Sequence, residues 1–180
     1  MPIKPARIRE TLDEYLDAHP DEKWRLAPIG ELLDAGHDVT SRKTFEGHLT
    51  AGAILIEPAG RVLLIKHRAL GHWLLPGGHL EPQDGTLLEA AQRELTEETG
   101  IPASVVVPVG HRPLHIDAHH IPANPAKDEP SHHHFDFRYL FRTHTDVVEL
   151  QEEEVTAAAW RYADTIENAT LRARVLEALR

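Results

Sequence analysis

Hydrophobic and polar positions divide the chain into stretches of different period. Through residue 45 the period is helical. Ile8, Leu12, Tyr15 and Leu16 mark one helix, which His19-Pro20 ends. A second helix is predicted from Asp21, with Trp24, Leu26, Ile29, Leu32 and Leu33 as packing residues. Pro28 and Gly30 predict a kink or a break in it, and Gly36 a stop. This pair is expected to pack on the main domain or on a partner copy, and it shows no chemistry of its own.

From His48 the pattern becomes that of strands. Leu49–Glu57 and Arg61–His67 are two apolar runs joined by a Pro58-Ala59-Gly60 turn, which predicts a β-hairpin. Trp73-Leu74-Leu75 predicts a short third strand leading into Pro76-Gly77-Gly78. Further strands are predicted at Ser104–Val109, Leu114–Ile121, His133–Arg142 and Val155–Tyr162. Within His133–Arg142, Phe135, Phe137, Tyr139 and Phe141 share one face, and His134, Asp136, Arg138 and Leu140 the other. A Pro-rich loop occupies 122–131, and an acidic one Glu149–Glu154. A last helix runs through Leu171, Val175 and Leu179, with Asp164 and Glu167 as its expected capping box. Helices, strands, a helix, more strands and a helix make a mixed α/β layer architecture.

One helix carries unusual chemistry. Thr86 with Glu89 three residues on predicts a capped start, and Gly100-Ile101 with Pro102 behind them a Schellman-type end. Leu87, Leu88, Ala91 and Leu95 form its apolar stripe, with Glu94, Glu97 and Glu98 on the neighbouring arc at i+3 and i+4 steps. Carboxylates that close repel one another unless a cation lies between them. A hard divalent ion such as Mg²⁺ suits carboxylate oxygens, waters and phosphates. Gly77 and Gly78 are read as a backbone turn that offers a carbonyl to the same ion. An acidic helix face alone is more often simply solvated. Here the Pro-Gly-Gly before it and the Gly-Ile after it favour a site.

Composition narrows the function. The 180 residues suit one domain and a sizeable core. A formal charge of −10 argues against extended nucleic-acid binding, so a phosphate ligand needs local cations or metal ions. The chain has no cysteine, which excludes disulfides, thiolate metal sites and a cysteine nucleophile. No apolar run suits a signal peptide or a membrane span, so no membrane partner and a cytoplasmic location are expected.

The stretch from Gly78 to Ile101 resembles the signature of the Nudix hydrolases, G-x5-E-x7-R-E-U-x-E-E-x-G-U, where U is a bulky aliphatic residue. Arg93-Glu94-Leu95-Thr96-Glu97-Glu98-Thr99-Gly100-Ile101 matches its second half without exception. The first half departs from it. Gly78 lies 15 residues before Arg93 where the pattern asks for 14, and the expected glutamate position holds Gly85. A one-residue insertion lets Asp84 stand in and pair with Arg93. The resemblance implies an α/β/α sandwich with a mixed sheet over residues 46–180, preceded by a helical extension at 1–45. It implies Mg²⁺- or Mn²⁺-dependent hydrolysis of a pyrophosphate linkage in a nucleoside diphosphate derivative. Glu94, Glu97 and Glu98 would be metal ligands, joined by the Gly78 carbonyl. Glu94 or a nearby carboxylate would activate water, and Arg93 would orient the glutamates. A further acid would come from the loop before the last strand, Glu154 first and Glu153 second.

Other readings remain. Arg68, His72, His134, Asp136 and Arg138 are expected to meet substrate, against the blander view that they are exposed strand and loop residues. His115, His119, His120 and His132–His134 bracket the Pro-rich loop, but a structural zinc site wants four suitably spaced ligands and there is no cysteine. The alternatives are a catalytically silent nucleotide-binding module of the same fold, motivated by the irregular loop, and a His-rich metal-binding protein. Isoprenoid diphosphate isomerases share the fold but usually rely on a cysteine. The N-terminal helices or a sheet edge would serve a homodimer.

Overall fold

In the computed structural model, which describes residues 2–68, 71–144 and 155–180, two helices come first, α1 (Pro5–Ala18) and α2 (Lys23–Asp34). Strands β1 (His48–Ile56), β2 (Arg61–His67), β3 (Trp73–Leu74) and β4 (Gly77–His79) lead to helix α3 (Leu87–Thr99). Strands β5 (Val106–Pro108), β6 (His115–Ile121), β7 (His132–Thr143) and β8 (Val155–Tyr162) follow, then helix α4 (Ala169–Ala178). The mixed sheet runs β3-β2-β1-β7-β5, with β4 also on β1, β6 on β7 and β8 on β2.

The hairpin of β1 and β2 exists only at its turn, where Ile56 faces Val62. Beyond it the strands splay. β1 runs parallel to β7 from His48↔His134 to Ile56↔Arg142, while β2 runs antiparallel to β8. Alternation along a strand states which face is buried; it does not choose between partners. The edge of β1 left free by this splaying takes β4, with Thr50 opposite His79 and Gly52 opposite Gly77.

The two-residue period of β1 and β7 builds both the core and the site. Leu49, Ala51, Ala53 and Leu55 enter one apolar cluster with Phe135, Phe137, Tyr139 and Phe141. Leu87, Ala90, Ala91 and Leu95 of α3 close that cluster, and Ile8, Leu12, Tyr15, Leu26 and Ile29 of the N-terminal helices join it. Ile54, Ile56 and Leu140 meet Leu171 and Val175 of α4 in a second cluster. His48, Thr50 and Gly52, with His134, Asp136 and Arg138, occupy the remaining positions of the alternation. The helical pair therefore packs on the main domain.

A polar knot fastens that pair. Buried Glu22 accepts from the Tyr15 hydroxyl at 3.0 Å and pairs with Arg25 and Arg174. Tyr15 in turn accepts from Ile116 N–H at 3.2 Å, and Arg25 donates to the Ile116 carbonyl at 2.7 Å. Removing one member of such a network leaves the others buried and unpaired. Glu22→Ala is expected to cost about 3 kcal/mol, lowering the melting temperature by about 6–12 °C in a scanning calorimeter.

Local expectations are corrected in four places. Trp24 is 80% exposed and packs nothing inside. α2 continues unbroken through Pro28, which lies on its exposed side, where water can satisfy the carbonyl that proline leaves without a donor. The strand predicted at Ser104–Val109 begins as a 3₁₀ turn, Ala103–Val105, with Val105, Val107 and Val109 exposed. The last helix is capped by Asn168, whose side chain accepts from Leu171 N–H at 2.9 Å, while Ala163–Thr165 forms a separate 3₁₀ turn. Among the described residues no helix is long and apolar enough to cross a membrane.

Candidate active site

Helix α3 starts where its caps predict. Thr86 accepts from Glu89 N–H at 3.0 Å, and the Glu89 carboxylate accepts from Gly85 N–H at 3.1 Å, one residue outside the expected box. Gly100 ends the helix at φ 68°, left-handed backbone that glycine adopts without penalty, and its N–H returns to the Thr96 carbonyl. Ile101 N–H goes to Thr99 Oγ1.

Arg93 is the hub. Its Nε and Nη2 both meet the Asp84 carboxylate at 3.0 Å, a two-point contact, and Nη2 also donates to the His79 carbonyl at 3.0 Å. Nη1 holds Glu94 Oε1 at 2.9 Å and Glu97 Oε2 at 2.8 Å. Hydrogen bonding to Asp84, foremost, keeps the guanidinium charged far above its ordinary range. Asp84 is 4% exposed and also accepts from Glu81 N–H at 2.7 Å. A loop one residue longer than the family pattern thus still brings a carboxylate to Arg93.

The double glycine is not a turn, as the sequence suggested; it is strand β4, and close approach explains it. A Cβ on Gly77 would come within 2.7 Å of the Ala51 carbonyl oxygen and Gly52 Cα, and one on Gly78 within 2.7 Å of the Glu94 carboxylate. Gly77 N–H donates to Glu98 Oε2 at 2.8 Å. Glu98 is 4% exposed, Glu94 half-buried and Glu97 exposed.

The three glutamates form an open row and not a closed cage. Among the described residues, the one trio of potential ligands whose donor atoms all approach within 4.8 Å is His48, His79 and His134. An open row still fits Mg²⁺ or Mn²⁺. Mg²⁺ in particular keeps several waters and is held by one or two carboxylates together with substrate phosphates. Glu94 lying against a glycine, where any side chain would displace it, also fits that use.

A cleft of about 980 Å³ opens here. Gly78, Arg93, Glu94, Glu97 and Glu98 line it, and Arg68, His134, Asp136 and Arg138 stand in the same wall. Asp136 accepts from Arg138 at 2.7 Å. His72 is exposed and is not among the residues that line the cleft. Glu153 and Glu154 lie outside the described residues. Sequence reading missed Arg42, Thr50 and His79, which also line the cleft, as does His119 of the histidine-rich stretch. Arg42 belongs to the segment that showed no chemistry, and His79 gains meaning only through its pairing with Thr50.

His79, His134 and His115 are held neutral. Burial first, then the Arg42 charge, pushes His79 down to about 4. Burial and then neighbouring imidazoles push His134 down to about 3, and burial with Arg138 pushes His115 down to about 4. In the unfolded chain these rings titrate near 6.5, so below that pH the unfolded state binds more protons. Their contribution to stability is complete above pH 6.5 and is lost as pH falls towards about 4. A melting temperature that declines steadily from about pH 7 to about pH 5 is expected. A flat profile would contradict the burial of neutral rings.

Residues 46–179 match the family model described as the NUDIX domain. A Lactococcus lactis subsp. cremoris protein named "Probable DHNTP pyrophosphohydrolase" is 30% identical over 148 residues, 82% of this chain and 80% of that protein. Among solved structures, a C. elegans Ap4A hydrolase binary complex is similar at a TM-score of 0.55 and 22% identity, covering 73% of this chain and 96% of that one. The NUDIX domain of Shewanella oneidensis NrtR, complexed with ADP ribose, is similar at 0.54 and 21%, covering 84% and 98%. At these identities the two structures speak for the fold.

Proposed function

Because the chain belongs to the Nudix hydrolase family, we propose that it hydrolyses a pyrophosphate linkage in a nucleoside diphosphate derivative or a related phosphoanhydride, with Mg²⁺ or Mn²⁺. The observation that carries this reading is the Arg93 hub, which holds Asp84, Glu94 and Glu97 together in the wall of the cleft. The reading assigns residues 46–180 to the hydrolase domain and 1–45 to a helical extension, and expects a cytoplasmic homodimer.

In this reading Glu94, Glu97, Glu98 and the Gly78 carbonyl hold the cation. When bound, it neutralises charge on the phosphate oxygens and makes water easier to deprotonate. Arg93 keeps Glu94 and Glu97 in place by charge-assisted hydrogen bonds. Glu94, or Glu154 from the loop before the last strand, accepts the proton of the attacking water. Arg68 and Arg138 offer positive charge to the phosphates that this acidic chain would otherwise repel, and His134 and Asp136 meet the rest of the substrate. The silent-module alternative loses its motivation where Asp84 meets Arg93, since the irregular loop still supplies the carboxylate that the helix needs.

Turnover of a panel of nucleotide sugars, dinucleoside polyphosphates, ADP-ribose and nucleoside triphosphates decides the matter. Release of a phosphorylated product from at least one, dependent on added Mg²⁺ or Mn²⁺ and stopped by chelator, is the expected result. Tight binding without turnover on every compound would favour the silent module.

A further inference from the structure

The second cluster of ligating groups lies beside the acidic helix and takes no part in the reading above as a metal site. The register of three strands builds it. His48 of β1 pairs with His134 of β7, which pairs with His119 of β6, and His79 of β4 lies across from Thr50, two residues along from His48. Ring centroids of His48, His79 and His134 are 4.6–5.2 Å apart. One nitrogen of each ring lies within 4.8 Å of the other two.

We propose that His48, His79 and His134 form a nitrogen-ligated site for a borderline divalent transition ion of the zinc class, separate from the carboxylate row of α3.

Tautomers argue for it. A carbonyl only accepts, so the His48 Nδ1 that sits 3.2 Å from the Thr44 carbonyl carries the proton. Nε2 of His48 then presents a bare lone pair, and it is buried with no hydrogen-bond partner in a residue 1% exposed. Burying an unsatisfied acceptor is unfavourable, and a cation would offset that cost. A ring nitrogen fixed by a backbone carbonyl, with the other nitrogen aimed inward, is how metal-bound histidines are usually oriented. His132 repeats the arrangement. Its Nδ1 donates to the Pro130 carbonyl at 2.8 Å, and its Nε2 is hydrogen-bonded to His134 Nε2 at 3.1 Å, so the proton between those two nitrogens must leave before both can serve as ligands.

Ligand chemistry separates the two sites. Imidazole suits zinc, cobalt, nickel and copper, whereas Mg²⁺ selects oxygen. Tetrahedral zinc with nitrogens at about 2.0–2.1 Å needs them about 3.4 Å apart, so the rings must close by roughly 1 Å. His79 and His134 are only half-buried.

The test uses the full chain, stripped with chelator and then held in a large excess of Mg²⁺ to occupy the carboxylates. Titration with Co²⁺ is expected to give one ion per chain, with the visible absorption of a low-coordinate nitrogen site, and Zn²⁺ should displace it. His48→Gln and His79→Gln should each weaken Co²⁺ binding by at least about tenfold. Glu97→Gln should bind it as the wild type does. No Co²⁺ binding in Mg²⁺, or unchanged affinity in both histidine variants, overturns the proposal. Should those variants not fold, ¹⁵N imidazole spectra of the wild type decide instead. Zn²⁺ must shift the nitrogens of His48, His79 and His134, and shifts confined to exposed rings such as His133 overturn it. The outcome is independent of hydrolysis, since a failed substrate panel leaves the Co²⁺ result standing and the reverse also holds.

Discussion

Glu97→Gln and Glu98→Gln are each expected to lose about a thousandfold in Mg²⁺-dependent turnover while melting close to the wild-type temperature. The amide keeps the size of the side chain and removes the negative charge that the proposed ion needs. A ligand and its charge are worth several kcal/mol at a phosphoryl transition state, and each 1.36 kcal/mol is a factor of ten in rate. The fold should hardly notice. Glu97 is exposed, and Glu98 accepts from Gly77 N–H through an oxygen that glutamine retains. Single-turnover rates, measured beside a calorimetric scan, separate the two effects. Retained activity in both variants would sink the assignment of the carboxylate row.

Arg93→Ala is expected to damage fold and activity together. It leaves Asp84, 4% exposed, without the guanidinium that takes both of its oxygens, and strips partners from Glu94, Glu97 and the His79 carbonyl. Breaking a buried pair from one side costs about 3–5 kcal/mol, or about 6–20 °C in melting temperature for a chain of this size. Adding Asp84→Asn to Arg93→Ala should recover part of that temperature, because the stranded charge is gone, yet recover no turnover. A coupling of about 0.5–3 kcal/mol between the two positions is the expected reading of the cycle. Strict additivity would mean that Asp84 does not serve as the partner of Arg93.

The contrast between these variants bears on the irregular loop. With Gly85 at the glutamate position, sequence reading made the loop the least regular part of the motif. In the structure Asp84 meets Arg93 with both carboxylate oxygens from a different place in the count.

Local interactions made α3 legible from sequence. Its caps, apolar stripe and glycine stop act over three or four residues, so Thr86, Leu95 and Gly100 could be placed without knowing the fold. The alternation of β7 was legible for the same reason, since a strand sends successive side chains to opposite faces wherever it lies. What one strand meets in another depends on packing between residues far apart in sequence. Only the tertiary structure decided that β1 leaves its hairpin partner for β7, that Gly77 and Gly78 are required by close approach, and that Arg42 and His79 belong to the cleft. The histidines show this best. By sequence the cluster spanned residues 115–134; the folded trio draws His48 and His79 from other strands, because parallel pairing of β1 with β7 and antiparallel pairing of β4 with β1 bring together what the chain keeps apart.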